Sequence, residues 1–342
     1  MRREFFRGML NSVSNRLNRS ILLSACMFLL AATFALSRDQ RASLLPRLQP
    51  GQILTYLVRY RADKNVKTES SLAVPLAPGA SQMDTHGLLR IEILELQHAS
   101  EKLAIRARSQ FLNDRVGASA PKPAGETAKS PPRPLSPEGH PVEFTISPDG
   151  LAEKITGLDE LNSEQQQVWQ EWLARFAMAW AIPSPRVKIG DKWKMEEAER
   201  ATSPIAALIW ARDSSYVRDE PCSAAALSVT GEVTPSNGTT DTCAVLLTTA
   251  KLVQKSPSKD ATPEDFKLHE LKTMGTAKGS NEVITYISLT TGLVVRSTEE
   301  ANQQLDVVVA KTDGSNGVHY NVGANSQLEV LLLTEAQAST QR

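Results

Sequence analysis

The stretch Gly87–Leu96, GLLRIEILEL, decides the fold, because its aliphatic and charged residues alternate almost one by one. Successive side chains of an extended chain point to opposite faces. Leu89, Ile91 and Ile93 therefore share one face, and the charged residues between them share the other. This pattern is typical of an antiparallel strand with one packed face and one solvated face.

The same alternation recurs along most of the chain. Short connections rich in turn residues separate the alternating segments, which favours a meander of neighbouring strands over a parallel sheet with crossover helices. The further segments that predict strands are ILTYLVRYRA (53–62), KLAIRARSQF (102–111), VEFTI (142–146), AAALSVTGEV (224–233), CAVLLTTAKLV (243–253), FKLHELKTM (266–274), EVITYISL (282–289), LVVRSTEEA (293–301), QLDVVVAK (304–311), GVHYNV (317–322) and SQLEVLLL (326–333).

One long segment, Asp159–Ile182, has helical periodicity, and prolines follow it directly. Its aromatic residues Trp169, Trp172, Phe176 and Trp180 are spaced i, i+3, i+7 and i+11, which places them on one helix face. Two interpretations of this aromatic stripe remain open. Either it packs across the sheet as core, or these four residues line a binding site for an apolar or carbohydrate ligand.

These patterns together predict an α+β, mainly β fold, in which one long helix packs on a curved, half-barrel-like antiparallel meander sheet. We expect a single β-rich domain over residues 38–342, because roughly 300 residues can bury a full core. Two polar stretches, Asp63–His86 and the proline-rich Asn113–His140, interrupt the strand pattern and are predicted as loops. The second, residues 113–140, is predicted to be a disordered insertion, since its composition buries too little apolar surface to offset the ordering entropy.

The N-terminal residues predict export. Five arginines and one glutamate lie in the first twenty residues, and an uncharged apolar run, Ile21–Leu36, follows. This order describes a signal peptide over residues 1–37, cleaved after Ser37, and a periplasmic or extracellular protein. The alternative is an uncleaved inner-membrane anchor formed by residues 21–36. A lipoprotein-like box ends at Cys26, but it lies inside the apolar run, which argues against lipidation.

Charge and cysteine content restrict the partners and the compartment. The chain carries 38 basic and 38 acidic residues, so loss of residues 1–37 leaves 33 against 37, a net charge of −4. We therefore expect no nucleic-acid partner, and a membrane contact only through an uncleaved N-terminal segment. The remaining cysteines, Cys222 and Cys243, are predicted to form a structural disulfide in an oxidising compartment, since no CxxC motif or nearby histidine supports a metal or redox site.

Motifs for catalysis, cofactors and metals are missing. HExxH, G-x-S-x-G, a Walker loop and GxGxxG do not occur, so we predict no metal, no cofactor and no enzymatic activity. Asp313, Asn316 and His319 could meet a cation or a substrate, but Asp-Gly and Asn-Gly are preferred in hairpin turns, and we predict a turn. His269 and Glu270 fall in a predicted strand, where neighbouring side chains point to opposite faces and make a poor dyad.

Two stretches carry a family resemblance. PRVKIGDKWKME at Pro185–Glu196, with its G-D-x-W start of a strand, and the hairpin with a glycine turn at Gly279–Val309 resemble secreted bacterial β-rich domains. Those domains are similar in pattern to the periplasmic lipoprotein-carrier superfamily. The resemblance implies a curved antiparallel sheet that wraps a helix and an apolar groove and, by fold analogy, a binding role. It carries no functional residue over to this chain.

Three functions are compatible with this sequence. The first is an exported, non-enzymatic envelope protein that binds an apolar ligand or a polypeptide in the curved sheet. The second is a structural or interaction module of the cell envelope, which engages an envelope protein through strand edges and the proline-rich segment. The third, which ranks last, is a hydrolase with a dispersed site that uses His269 or His319.

Overall fold

The structure is a computed structural model of the chain. The strands lie in one compact unit, Ser43–Arg342. The residues that the structure describes are 41–70, 79–99, 102–113, 140–147, 151–159, 161, 166, 169, 173, 186–199, 203–225, 241–255 and 262–334. The predicted signal segment, residues 1–37, and most of the proline-rich insertion, residues 113–140, lie outside them, so both stay predictions.

Eleven strands in the described part of the chain form one antiparallel sheet. A single short helix with defined bounds, α1 (Glu264–Leu268), lies between the eighth and ninth strands. The strands are β1 (Ile53–Ser70), β2 (Gly79–Ala99), β3 (Lys102–Asn113), β4 (Pro141–Ile146), β5 (Ala152–Thr156), β6 (Lys192–Ala198), β7 (Leu208–Pro221), β8 (Thr242–Gln254), β9 (Leu271–Ser288), β10 (Val294–Lys311) and β11 (Val318–Leu332).

The strand order in the sheet is β5-β4-β3-β2-β1-β11-β10-β9-β8-β7-β6. The first and last strands of the chain, β1 and β11, are therefore neighbours inside the sheet, and one meander runs outward from each of them. The two edges are β5 and β6, and they do not pair with each other, so the sheet is open. The connection between these edge strands is residues 157–191.

The predicted α+β class was wrong, because the fold is nearly all β. Strands account for most of the described residues, and α1, the helix with defined bounds, is five residues long. Most of the predicted long helix, Asp159–Ile182, lies outside the described residues. The members of that segment that the structure does describe, Gln166, Trp169 and Leu173, are helical. The antiparallel meander pattern was predicted correctly.

The sheet is more extensive than predicted because polar residues continue the strands. The segments 293–301 and 304–311 are one strand, β10, whose Asn302 pairs with Ser280 of β9 and with Asn325 of β11. The predicted loop Asp63–His86 was wrong at both ends, because residues 63–70 belong to β1 and residues 79–86 to β2. A ladder of hydrogen bonds on both sides of a strand overrides the weak β-propensity of such residues.

Two predicted strands were partly wrong in the other direction. In AAALSVTGEV (224–233), Ala224 and Ala225 are helical, and residues 226–233 lie outside the described residues. In FKLHELKTM (266–274), the residues Phe266–Leu268 belong to α1, and His269 and Glu270 form the turn before β9. Pro263 directly precedes the helix, and Glu264 and Asp265 occupy its first turn, where acidic residues stabilise the positive end of the helix.

The two faces of the sheet differ in burial along most of the strands. The face opposite Tyr56 nevertheless has a buried cluster of its own, formed by Leu57, Leu88, Leu331 and Leu333. We call the packed face the side that carries Tyr56, Ile91, Phe144 and Ile287, all of which are buried, and the wet face the opposite side. Residues directly opposite each other in the register share a face, so the packed face continues from β4 to β7. In β8, the residues on the packed face are mostly buried, whereas Lys251 on the wet face is exposed.

Charged pairs occupy the wet face of β3 and β4. Glu143 Oε1 accepts hydrogen bonds from Arg108 Nη2 at 2.6 Å and from Arg108 Nε at 3.0 Å, and Glu143 Oε2 accepts one from Arg106 Nη2 at 3.0 Å. The hydrogen bonds from Arg108 and then from Arg106 hold the pKa of Glu143 below its ordinary value. Such exposed pairs contribute little to stability, which depends mainly on the buried apolar residues.

The predicted disulfide is confirmed. Cys222 and Cys243 are bonded, with their Cα atoms 4.9 Å apart and a sequence separation of 21. The bond joins the chain just after β7 to the start of β8, at the base of the connection between these strands. Disulfides persist in oxidising compartments, so this bond is consistent with an exported protein.

Candidate functional site

The aromatic stripe is only partly described. Trp169 is 3% exposed and Leu173 is also buried, as core packing requires, and the indole Nε1 of Trp169 has no hydrogen-bond partner. Trp172, Phe176 and Trp180 lie outside the described residues. The proposed ligand-binding role of the stripe therefore stays a prediction, and the candidate site is built from the sheet.

An apolar patch occupies the packed face from β7 to β11. Its buried members are Ile205, Leu208, Leu252 and Val307, and its half-buried members are Trp210, Ala277, Leu305 and Tyr320. Gly279 makes room for it, since a Cβ there would lie 2.9 Å from Cη2 of the Trp210 indole. The six-membered ring of Trp210 therefore lies over the backbone of β9. We call these eight residues the apolar patch.

Beside the apolar patch, polar side chains interrupt the packed face. They form a band of cross-strand pairs from β6 to β10, between the patch and the buried residues around Ile287. We call this band the polar strip. Its members are Glu197, Arg212, Ser214, Thr248, Asn281, Thr285, Ser297 and Glu299.

Each member of the polar strip hydrogen-bonds to another member. Arg212 Nη2 donates to Glu197 Oε2 at 3.0 Å, and the two side chains are only 13% and 11% exposed. Asn281 Nδ2 donates to Glu299 Oε1 at 2.7 Å, and both residues are 8% exposed. The hydroxyl pairs are Ser214 with Thr248 at 2.8 Å and Thr285 with Ser297 at 3.2 Å.

Two polar atoms of the strip are buried without a hydrogen-bond partner. They are the carbonyl oxygen Oδ1 of Asn281 and the donor Nε of Arg212. A buried polar atom that makes no hydrogen bond costs about 1–3 kcal/mol. Buried polar atoms without a partner call for an explanation, and the occurrence of two of them in one band of paired polar side chains makes this strip the candidate site.

Small side chains lie in the same row as these two residues. Arg212 is opposite Ala250, Ala250 is opposite Asn281, and Asn281 is opposite Ala301. The row continues through Ser326 of β11 to Ala62 of β1. Trp210 and Leu252 of the apolar patch stand in the row on one side, and Ser214, Thr248 and Glu299 of the polar strip stand in the row on the other side.

Sequence reasoning missed the polar strip. Strand β7 was not predicted, because LIWARDSSYVRDEP does not alternate cleanly. A weak signal existed in β9, where Asn281 and Thr285 are in phase with the buried Ile287. A polar residue in the apolar phase of one strand marks a site only when the register brings others beside it, and the sequence does not show the register.

The predicted turn around Asp313 and Asn316 is confirmed. Asp313 Oδ1 accepts a hydrogen bond from Ser315 N at 2.7 Å, the Ser315 hydrogen bonds lower the pKa of Asp313, and Asn316 has a positive φ of 56°. His319 lies apart from them, in β11 on the wet face. Its Nε2 is 2.8 Å from Asp306 Oδ1, and its Nδ1 is 3.7 Å from Glu69 Oε2.

A polar recess lies beside His319 on the wet face. Its volume is about 390 Å³, and Thr276, Lys278, Gln304 and Asn321 line it together with Asp306. Such a lining offers hydrogen bonds and charge but little apolar surface. It therefore does not match the apolar ligand that the sequence predicts.

We expect His319 to titrate above the ordinary histidine value, since the hydrogen bond to Asp306 and then the Glu69 carboxylate raise its pKa. A raised folded-state pKa stabilises the fold at low pH. This contribution is fully present below about pH 6.5, the unfolded-state value, and is lost as pH rises through the folded-state pKa.

The test is an NMR titration of the His319 imidazole, in which the variant Asp306→Asn should have a lower His319 pKa than the wild type. The turn variant Asp313→Asn serves as the control, and an equal pKa in both variants would contradict the assignment.

The histidines of the hydrolase hypothesis have other contacts. His269 Nδ1 lies 2.7 Å from the carbonyl oxygen of Asp265, and the partners of His319 are carboxylates. Neither ring hydrogen-bonds to a serine in the described ranges. No group of three or more metal-ligating side chains occurs among these residues either. The absence of enzymatic activity nevertheless stays a prediction.

None of the described helices has the length and apolar character that a membrane-crossing helix needs.

No protein-family model matches the chain, and no curated protein matches it. One similar solved structure is the crystal structure of the outer membrane protein OprG from Pseudomonas aeruginosa. It shares 7% identity, with coverage of 85% of this chain and 99% of that chain and a TM-score of 0.16. A score this low carries no argument. The resemblance to the lipoprotein-carrier superfamily stays a prediction.

Proposed function

We propose that this β-rich chain is an exported, non-enzymatic protein of the cell envelope and that it binds a small apolar ligand on the packed face of its sheet. The disulfide supports the oxidising compartment. The apolar patch supports the ligand. A ligand with a hydrocarbon chain fits the patch, because the patch extends across neighbouring strands from β7 to β11.

The observation that carries this proposal is the partial burial of Trp210, Leu305 and Tyr320. They pack against Leu252 and Val307, which are buried, yet keep part of their own surface exposed. Covering this remaining surface by an apolar ligand would contribute about 25 cal/mol for each Å² removed from water. Apolar surface of this kind beside a few polar groups is the usual composition of a small-molecule site.

The alternative, an interaction module that pairs through its strand edges, has less support. The edge strands β5 and β6 are short, and β6 exposes Lys192, Lys194 and Glu196 in alternation. Short edges with exposed charges oppose pairing with another chain. The proline-rich segment of this hypothesis lies largely outside the described residues.

The proposal predicts that the mature protein binds N-phenyl-1-naphthylamine, an uncharged probe that fluoresces in apolar sites, with energy transfer from Trp210. Leu305→Gln should weaken this binding about tenfold, which corresponds to about 1.4 kcal/mol, because an amide replaces apolar contact surface. Met274→Gln is the matched control. Met274 is 58% exposed on the wet face of β9, so its replacement should leave the affinity unchanged.

Two results would contradict this function. The first is a folded wild-type protein that does not bind the probe. The second is an equal loss of affinity in Leu305→Gln and Met274→Gln, which would place the probe away from the packed face. Native mass spectrometry of protein purified from the envelope should show a bound small molecule.

A further inference from the structure

Resting on the proposed function, we infer that the polar strip binds the head group of the ligand and that the ligand is an uncharged single-chain amphiphile whose head carries amide or hydroxyl groups. The hydrocarbon chain lies on the apolar patch. The head lies against Asn281 and Arg212, the two residues of the polar strip that have buried unpartnered atoms.

The first step of the argument is the hydrogen-bonding capacity that the strip leaves unused. Asn281 uses Nδ2 on Glu299, and its Oδ1 can accept a hydrogen bond from a ligand. Arg212 uses Nη2 on Glu197, and its Nε can donate one. A head group that matches both atoms must therefore carry a donor and an acceptor, as an amide or a hydroxyl does.

The second step concerns charge. The guanidinium of Arg212 already pairs with Glu197, and Glu299 places a second carboxylate beside Asn281. An anionic head would therefore lie near two glutamate side chains, and the cation that could attract it is already paired. A quaternary ammonium head has no donor for Asn281 Oδ1 and no acceptor for Arg212 Nε. Uncharged heads avoid both penalties.

The third step is position. The row of Arg212, Ala250 and Asn281 directly neighbours the row of Trp210, Leu252 and Gly279 in the register. Residues two positions apart in a strand are about 7 Å apart, so the head and the first carbons of the chain can occupy the two rows together. Ala250 and Ala301 flank Asn281 in its row, so no large side chain of the adjacent strands stands directly beside it.

The test compares three ten-carbon probes that differ only in their heads: decanamide, decanoate and decyltrimethylammonium. Each displaces N-phenyl-1-naphthylamine from the full mature protein. We expect decanamide to displace it at a concentration at least fivefold lower than either charged probe. Asn281→Leu, and separately Arg212→Lys, should reduce this preference below twofold while the affinity for N-phenyl-1-naphthylamine stays the same.

A matched control replaces Asn302 with leucine. Asn302 also lies in a long strand and donates a hydrogen bond, to Ser280 Oγ at 2.8 Å, but on the wet face, so Asn302→Leu should keep the fivefold preference. Near-UV circular dichroism shows whether each variant keeps its packing. If the strip variants do not fold, the displacement of N-phenyl-1-naphthylamine from the wild-type protein by the three compounds tests the proposal by itself.

The outcomes separate the two proposals. Equal displacement by all three heads, with probe binding that still depends on Leu305, would overturn the head-group assignment and leave the proposed function intact. A preference for decanamide that survives in Asn281→Leu and Arg212→Lys would place the head elsewhere and also overturn the assignment. Absence of probe binding to the folded wild-type protein would overturn both.

Discussion

Replacement of Phe144 by alanine should lower the free energy of unfolding by about 3–5 kcal/mol. Phe144 is 1% exposed on the packed face of β4, and in the register it lies opposite Ala107 of β3 and, through it, Ile93 of β2. Loss of the ring removes its buried area and leaves a cavity that the small Ala107 cannot fill. Urea unfolding followed by circular dichroism measures the effect.

Two further variants in β4 serve as controls for the loss of unfolding free energy in Phe144→Ala. Phe144→Leu keeps most of the volume and should cost less than about 1.5 kcal/mol. Thr145→Ala changes the neighbouring residue on the wet face and should remain within about 0.5 kcal/mol of the wild type. Similar losses in Phe144→Ala and Thr145→Ala would show that β4 does not pack on one face.

The strands were predictable because alternation is a local property. In β2, the residues Leu89, Ile91 and Ile93 are buried on one face, as GLLRIEILEL indicates. In a half-buried strand, apolar residues recur at every second position, so the strand can be predicted without knowledge of its neighbours. The glycine and asparagine turns between β9, β10 and β11 were equally local and were also predicted correctly.

The extent of the sheet was not predictable in the same way. Residues 63–70, 79–86 and 302–303 are polar and were interpreted as loops or breaks, yet they are strand. Their backbone groups are satisfied by neighbouring strands that are distant in the sequence: Asp63 pairs with both Gln82 and Asn325. Local composition contains no information about such partners.

The candidate site depends on the same distant partners. Arg212 and Asn281 are separated by 69 positions in the sequence, and they belong to one row only because Ala250 of β8 pairs with both. Asn281 alone is an ordinary polar residue in an alternating strand. The disulfide was an exception, because the export signal and the even number of remaining cysteines predict it without knowledge of the register.

Loss of the disulfide should lower the free energy of unfolding by about 3 kcal/mol, because the bond closes a loop of about twenty residues and restricts the unfolded chain. The measurement compares the wild type with the double variant Cys222→Ala and Cys243→Ala. Cys243 is fully buried, so alanine is preferred to serine, which would bury a hydroxyl without a defined partner. Free-thiol labelling of the denatured mature protein, which lacks Cys26, should find no reactive cysteine.

The native structure around the bond predicts that its removal weakens the fold without changing it. Asp241 accepts hydrogen bonds from Ser288 Oγ at 2.6 Å and from Thr290 Oγ1 at 2.7 Å, and the Cys222 N–H donates to the Asp241 carbonyl at 3.0 Å. These bonds hold the start of β8 in place in both oxidation states. Reducing agent should therefore lower the melting temperature of the wild type and leave that of the double variant unchanged. Equal melting temperatures of the wild type with and without reductant would show that the crosslink does not stabilise the fold.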